Sequence, residues 1–111
     1  MNTTLFIRRR LIAGLALLAG CAGLAPVDYG AIVSNPERGD ADRQTDQRRH
    51  PDRLLAFTGA RPGMRVLDMG AGAGYSTELV ARAVGPGGTV YAQDSATLPD
   101  RVRERFDERA K

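Results

Sequence analysis

The stretch Arg65-Val-Leu-Asp-Met-Gly-Ala-Gly-Ala-Gly-Tyr75 decides the fold of this 111-residue chain. Its first five residues are mostly apolar, and three glycines then alternate with alanines at Gly70, Gly72 and Gly74. From Tyr75 to Val84 apolar residues recur at helical spacing, which predicts a helix that begins directly after the last glycine. The sequence therefore predicts a strand, a glycine-rich turn and a helix in direct succession.

A second β-rich run follows at Thr89–Ala92 and is closed by Gln93 and Asp94. Two strands joined by a helix form a parallel βαβ unit. Asp94 stands about 20 residues past the last glycine, where a carboxylate at a strand end can accept hydrogen bonds from ribose hydroxyls. The predicted fold class is α/β, with a Rossmann-like parallel sheet that is incomplete: one βαβ unit plus flanking helices.

The spacing of the glycines separates two classes of ligand. A dinucleotide fingerprint, G-x-G-x-x-G, needs a glycine at the position of Tyr75, which disfavours a nicotinamide-dependent oxidoreductase. The pattern Asp68-x-Gly70-x-Gly72-x-Gly74 instead resembles the first motif of the class I S-adenosylmethionine-dependent methyltransferases. Residues 62–72 and 85–91 look especially like that superfamily, and similar runs occur in protein-isoaspartate and tRNA-adenine methyltransferases. With residues 46–51 added, the chain also looks like a group of exported bacterial methyltransferases.

The resemblance implies S-adenosylmethionine as the cofactor and assigns a role to each residue of the motif. Gly70, Gly72 and Gly74 would line the methionyl and ribose portions of the cofactor, and Asp94 would bind the ribose hydroxyls. Tyr75 would start the helix beside the carboxylate end of the cofactor. The methyl acceptor and the catalytic residues stay open.

The role of Asp68 has two interpretations. By resemblance, Asp68 would orient the glycine turn and contact the cofactor's ammonium group through water. The alternative is a purely structural carboxylate, because Asp commonly accepts hydrogen bonds from neighbouring backbone. No metal site is predicted, since His50 is the only histidine and precedes Pro51, where a helix start is the simpler interpretation.

The N-terminal residues have the layout of an export signal. Arginines at 8–10 precede an apolar run at 11–20, which is shorter than the roughly 20 residues that span a membrane. Leu18-Ala19-Gly20-Cys21 resembles the bacterial lipobox, which implies a signal peptide at 1–20 and a lipid-modified Cys21. We therefore expect an exported lipoprotein that is anchored to the membrane and faces the periplasm, with Ala22 favouring the outer membrane. A core helix with an inert cysteine is the alternative.

The charge of the chain predicts no nucleic-acid partner. The net charge is +3, but three of the 16 basic residues lie in the predicted signal peptide, and the remainder carries 13 acidic residues. Residues 22–50 are predicted to be a charged linker with an N-terminal helix. More than half of residues 35–53 are charged, with mixed signs, which indicates a solvated helix or tether because such a segment has nothing to bury.

Residues 51–111 would then form a partial methyltransferase domain that ends in a solvated amphipathic helix from Asp100. Two strands are fewer than a class I methyltransferase sheet contains, so activity at this length is uncertain. Two hypotheses follow. The chain is an N-terminal fragment of an S-adenosylmethionine-dependent methyltransferase that carries the cofactor motif. Alternatively, it is a non-catalytic exported lipoprotein remnant, or a module that binds a nucleotide-type ligand.

Overall fold

The computed structural model describes residues 25–111. The predicted signal peptide, the lipobox and Cys21 lie outside the described residues. Within them the chain forms five helices and two strands in the order α1 (Tyr29–Val33), α2 (Asp40–Arg49), α3 (Pro51–Thr58), β1 (Arg65–Met69), α4 (Tyr75–Val84), β2 (Thr89–Gln93) and α5 (Asp100–Arg109). None of these helices is long and apolar enough to cross a membrane.

The two strands form a parallel sheet, joined by α4 as a crossover helix. Their register runs from Arg65 opposite Thr89 to Met69 opposite Gln93. The predicted α/β class with one parallel βαβ unit is therefore confirmed.

Backbone signals in the sequence set the ends of the helices. Pro51 occupies the first turn of α3, and His50, at a left-handed φ of 46°, separates it from α2. His50 thus serves as the N-cap of a helix, as its position before a proline indicated. Gly59, at a φ of 64°, ends α3 because glycine adopts this conformation without a steric penalty.

The hydrophobic core lies between α4 and one face of the sheet. Its buried residues come from α3, α4 and the loop after α3: Leu55, Ala60, Leu79, Val80, Ala83 and Val84. Val66 and Val90 of the two strands pack against this cluster. Residues 25–50 contain two helices where the sequence predicted one. The shorter, α1, adds Ile32 and Tyr29 to the core, and the Tyr29 hydroxyl donates a hydrogen bond to the carbonyl of Ala60 at 2.8 Å.

The opposite face of the sheet is uncovered in the described part of the chain. Leu67, Met69 and Tyr91 are 58%, 74% and 48% exposed there. Arg65 lies over the Tyr91 ring and donates a hydrogen bond to its hydroxyl at 2.6 Å. One layer of helices therefore covers a sheet that presents apolar side chains on its other side.

The expectation of a solvated segment at residues 35–53 is wrong for its key charged side chains. Arg38 is 3% exposed and Asp42 is 6% exposed. Arg38 donates two hydrogen bonds to the carboxylate of Asp46, at 2.6 and 2.8 Å, and one to the carbonyl of Val33 at 2.7 Å. Charged groups can be buried when they are paired in this way, so α2 packs against the domain through ion pairs rather than apolar contacts.

Helix α5 also takes part in this packing, although most of its surface is exposed as expected. Arg109 donates hydrogen bonds to both carboxylate oxygens of Asp42, at 2.5 and 2.6 Å, and to Glu78 of α4 at 2.5 Å. One arginine thus joins α2, α4 and α5. The predicted division of the chain at residue 50 stays a prediction.

Candidate cofactor-binding site

The glycine loop, Gly70–Gly74, leaves the end of β1 and turns directly into α4. Gly70, Gly72 and Gly74 have φ values of 79°, 54° and 83°, in the left-handed region that favours glycine. The N–H groups of Gly70 and Ala71 donate to the carbonyl of Gln93 at 2.8 and 3.1 Å. These bonds hold the loop against the carboxyl end of β2.

Asp94 joins the end of β2 to the middle of the glycine loop. Its carboxylate accepts a hydrogen bond from the N–H of Gly72 and another from the N–H of Ser95 at 2.6 Å. A carboxylate has about four lone-pair positions, so each oxygen keeps acceptor capacity for a ligand. The structure thus brings together two elements that lie 22 residues apart in the sequence.

Asp68 has a structural partner. Its carboxylate accepts a hydrogen bond from the Thr77 hydroxyl at 2.6 Å, which ties β1 to the first turn of α4. This contact agrees with the structural alternative for Asp68. Its predicted contact with the cofactor's ammonium group stays a prediction.

Tyr75 is the first residue of α4, as expected, and its hydroxyl is hydrogen-bonded to α2. The hydroxyl donates a hydrogen bond to Asp46 at 2.6 Å, and the Arg49 guanidinium lies 5.1 Å from the ring centroid. Burial raises the pKa of Tyr75 to about 12, with a further contribution from the Asp46 carboxylate. The side chain therefore connects the glycine loop to α2, a link that the sequence motif does not indicate.

Residues 45–109 match the family model of the protein-L-isoaspartate(D-aspartate) O-methyltransferases. The chain belongs to this family. Over 56 residues it is 43% identical to the protein-L-isoaspartate O-methyltransferase of Aeropyrum pernix, an alignment that covers 50% of this chain and 22% of the relative. A solved structure of a protein-L-isoaspartate O-methyltransferase is similar to the chain with a TM-score of 0.47 and 26% identity, over 58% of this chain and 19% of that one.

Membership of this methyltransferase family confirms the superfamily that the glycine motif indicated, and the family uses S-adenosylmethionine as its methyl donor. The chain spans about a fifth of the length of the curated relative that it matches. The matched residues include β1, the glycine loop, α4, β2 and Asp94, and they begin within α2.

The glycine loop has open space beside two of its three glycines. A Cβ atom added at Gly70 or Gly72 would meet no atom within 4 Å, so the loop is open on the side where a ligand can approach its backbone. Gly74 differs, because a Cβ there would lie 3.1 Å from side-chain atoms of Phe106 and Arg109. The loop is therefore open at Gly70 and Gly72, whereas side chains of α5 cover Gly74.

Helix α4 adds a second feature that suits the methionyl end of the cofactor. No side chain caps its first turn, because its N-cap is Gly74. The N–H groups at such a helix start, together with the helix dipole, favour an anion. The carboxylate is the anionic group of S-adenosylmethionine, so this end of α4 is where we expect it.

Two cavities of the described residues border this region. One of about 110 Å³ lies between the glycine loop, Asp94 and α5, with Leu98 and Phe106 among its lining residues. A larger one, of about 1110 Å³, lies on the flank between α1, α4, β2 and α5. The described residues contain no group of His, Cys, Asp and Glu side chains that could hold a metal ion.

Several residues that contact the predicted site were not predicted, among them Thr77, Asp46 and Arg38, whose guanidinium lies 5.8 Å from the Tyr75 ring centroid. Thr77 lies on the turn of α4 that follows the motif, so its distance from Asp68 in a strand-turn-helix unit could have indicated it. Arg38 carries no such signal, because it lies in a segment of mixed charge, and the resemblance of residues 46–51 assigned no role to Asp46.

Proposed function

We propose that residues 45–109 form the S-adenosylmethionine-binding part of a carboxyl O-methyltransferase that acts on isoaspartyl residues of proteins. The observation that carries the proposal is the closure of the glycine loop onto Asp94, through the N–H of Gly72. That contact holds the Asp94 carboxylate beside an open loop backbone, which supports a role in binding ribose hydroxyls. The family match and the name of the archaeal relative support the acceptor class.

The chemistry of a carboxylate acceptor suits the side chains present. When bound, the cofactor supplies a methyl group activated by a sulfonium, which an acceptor oxygen takes as the C–S bond breaks, leaving a methyl ester and neutral S-adenosylhomocysteine. A carboxylate is ionised at neutral pH, so no proton has to be removed from it. The protein's contribution is then alignment: Gly70 and Gly72 admit the ligand, and Asp94 orients its ribose.

Calorimetric titration of the 111-residue chain with S-adenosylmethionine tests cofactor binding, with Asp94→Asn as the variant. The loss of a charged acceptor to ribose weakens binding by about tenfold, the size expected of a charge-assisted hydrogen bond. The control is Asp100→Asn, an exposed residue at the start of α5, which retains wild-type affinity.

Two outcomes of this titration would overturn the cofactor assignment. One is the absence of binding to S-adenosylmethionine, and the other is equal affinity of the wild type and Asp94→Asn. Titration with NAD under the same conditions separates the dinucleotide alternative, since binding of NAD alone would favour an oxidoreductase ancestry.

The acceptor is tested separately, with methyl-labelled S-adenosylmethionine and a pair of peptides that differ only in an isoaspartyl or an aspartyl linkage. The proposal expects label on the isoaspartyl peptide, released as methanol by mild base because the product is an ester. Equal transfer to both peptides, or transfer to the aspartyl peptide alone, would contradict the acceptor class while leaving the cofactor site in place.

We also propose that the protein is exported and is anchored to the membrane by a lipid on Cys21, facing the periplasm. The support is the arginine-rich start, the short apolar run and the lipobox-like sequence at 18–21. Bacteria fed a labelled fatty acid should incorporate it into the chain and lose the label in Cys21→Ser. Label that persists in this variant, or a wild-type chain that stays in the soluble cytoplasmic fraction, would refute the anchor.

A further inference from the structure

The first turn of α4 is held from two directions. From the sheet, Asp68 accepts a hydrogen bond from Thr77 at 2.6 Å. From the other side, Tyr75 donates a hydrogen bond to Asp46 of α2, also at 2.6 Å. Tyr75 directly follows the last glycine of the loop, so the second bond fixes the point at which the loop becomes a helix.

The carboxylate that holds Tyr75 is partly buried and is paired with a buried arginine. Asp46 accepts two hydrogen bonds from Arg38, whose side chain is only 1% exposed. Arg38 is fixed in turn by a hydrogen bond to the carbonyl of Val33 at 2.7 Å. A bidentate arginine–carboxylate pair restricts the orientation of both groups, so the oxygen that receives the Tyr75 hydroxyl has a defined position.

Removing a network of polar groups from water in order to hold a helix costs free energy. A buried pair loses hydration, and apolar residues of similar volume often stabilise a fold equally well. What such a network adds is orientation, because each hydrogen bond constrains both distance and angle. The location of the network, one residue from the glycine loop, indicates what is being oriented.

We propose that Tyr75, held by Asp46 and Arg38, is a positioning residue for the cofactor's carboxylate. It fixes the uncapped first turn of α4, so that the N–H groups of this turn point at the methionyl end of the ligand. The inference rests on the proposed function, because it presupposes that S-adenosylmethionine occupies the glycine loop. Tyr75 acts through the position of the backbone and needs no contact with the ligand.

The test compares two ligands on two matched tyrosine variants of the 111-residue chain. S-adenosylhomocysteine has the carboxylate, whereas 5′-methylthioadenosine has the same nucleoside without the amino-acid portion. Tyr75→Phe removes the hydroxyl that reaches Asp46. Tyr29→Phe is the control, because the Tyr29 hydroxyl also makes one partly buried hydrogen bond, to Ala60 at 2.8 Å, but lies in α1.

Calorimetric titration should show Tyr75→Phe binding S-adenosylhomocysteine about five- to tenfold more weakly, the effect of misplacing one charged interaction. Its affinity for 5′-methylthioadenosine should stay within about twofold of the wild type, since that ligand makes no carboxylate contact. Tyr29→Phe should bind both ligands as the wild type does. Asp46→Asn, which removes the charge that pairs with Arg38, should reproduce the ligand-selective loss.

The remaining outcomes distinguish a failure of the positioning proposal from a failure of the proposed function. If Tyr75→Phe weakens both ligands equally, or matches Tyr29→Phe, the hydroxyl has only a structural role and the positioning proposal fails while the cofactor site stands. If the wild-type chain binds neither ligand, the proposed function fails and this inference fails with it. Thermal unfolding of all variants records how much stability each hydroxyl contributes, which keeps that effect separate from ligand selectivity.

Discussion

Two regions of the molecule are stabilised by different means. One is the βαβ unit. The other, the charged layer, consists of α2 and α5 with the ion pairs that join them to α4. In the βαβ unit, apolar side chains from adjacent segments are buried around Leu79 and Val84, each 2% exposed or less. In the charged layer, the decisive contact joins Asp42 to Arg109 across 67 residues. The same small domain thus combines a core specified by local sequence pattern with a flank specified by pairs of residues that are distant in the sequence.

Among the substitutions considered, Gly88→Ala, in a turn of the βαβ unit, should lower the free energy of unfolding the most. A Cβ at Gly88 would lie 2.5 Å from the Cβ of Val84 and 2.8 Å from the carbonyl oxygen of Met64, so the end of α4 must move away from β2. We expect a loss of about 3 kcal/mol or more in the free energy of unfolding, at the upper end for overpacking. Urea denaturation followed by circular dichroism measures it.

Gly87→Ala is the matched control for that variant, because its added Cβ would come no closer than 4.0 Å to any atom. It should unfold within about 0.5 kcal/mol of the wild type, as surface substitutions usually do. Equal losses in the two variants would show that the turn's flexibility, rather than close packing of Gly88, holds the unit together.

In the charged layer, Arg109→Met should lower the free energy of unfolding by a smaller amount. The substitution removes the cation from Asp42 and Glu78, whose side chains are 9% and 18% exposed. Leaving a buried carboxylate without its partner destabilises a protein strongly, but water reaches these groups in part, so we expect about 2 kcal/mol. Arg101→Met, on the exposed side of the same helix, should have little effect. A similar loss in both variants would refute the ion-pair account.

The charged layer should also respond to acid, by a still smaller amount. Hydrogen bonds from Arg109 lower the pKa of Asp42, and hydrogen bonds from Arg38 lower the pKa of Asp46, both from an ordinary value of 3.8. The unfolded chain therefore binds protons at a higher pH than the folded chain. The stabilisation is present in full above about pH 5 and is lost as the pH falls through 3.8 toward the folded pKa values.

This expectation is tested by measuring urea midpoints at several pH values between roughly 5 and 3, the range in which the carboxylates of the unfolded chain take up protons. Asp42→Asn should flatten the decline, whereas Asp107→Asn, an exposed residue of α5, should keep the wild-type slope. A decline of equal steepness in Asp42→Asn would mean that other carboxylates cause it.

The smallest effect should come from Asp40→Asn, on the outer side of α2. Its carboxylate lies 4.0 Å from the Arg43 guanidinium and is fully exposed. Exposed pairs contribute little because water screens them, so the urea midpoint should equal that of the wild type within error. A clear shift would show that the charged layer depends on its surface charges as well as its buried pairs.

The same division explains how much of the fold could be predicted. The bounds of β1 at Arg65–Met69 and of α4 at Tyr75–Val84 match the sequence prediction, because glycines and apolar periodicity are local signals. The sequence also predicted that the glycine loop follows β1 and that Asp94 directly follows β2, as the structure has them, whereas the roles of these residues towards the cofactor stay predictions. Helix α1 was missed because five residues are too few to establish a helical period.

The charged layer could not be predicted for a physical reason. The sequence contains 16 basic and 13 acidic residues, and it does not say which of them meet. Arg38 donates hydrogen bonds to Asp46, eight residues away, and Asp46 accepts another from Tyr75, 29 residues further along the chain. Only the packing of the helices selects these partners, so a segment that looks solvated becomes the support of the glycine loop.

The distance along the chain between Asp42 and Arg109 also has a kinetic consequence. Closing a loop of 67 residues costs conformational entropy that its ion pair can offset only after α2, α4 and α5 are in place. We therefore expect the pair to form after the βαβ unit, whose contacts are closer in sequence and whose closure is faster. In that case Arg109→Met should unfold faster and fold at nearly the wild-type rate, so that Arg109 would determine how long the folded state lasts rather than how quickly it is reached.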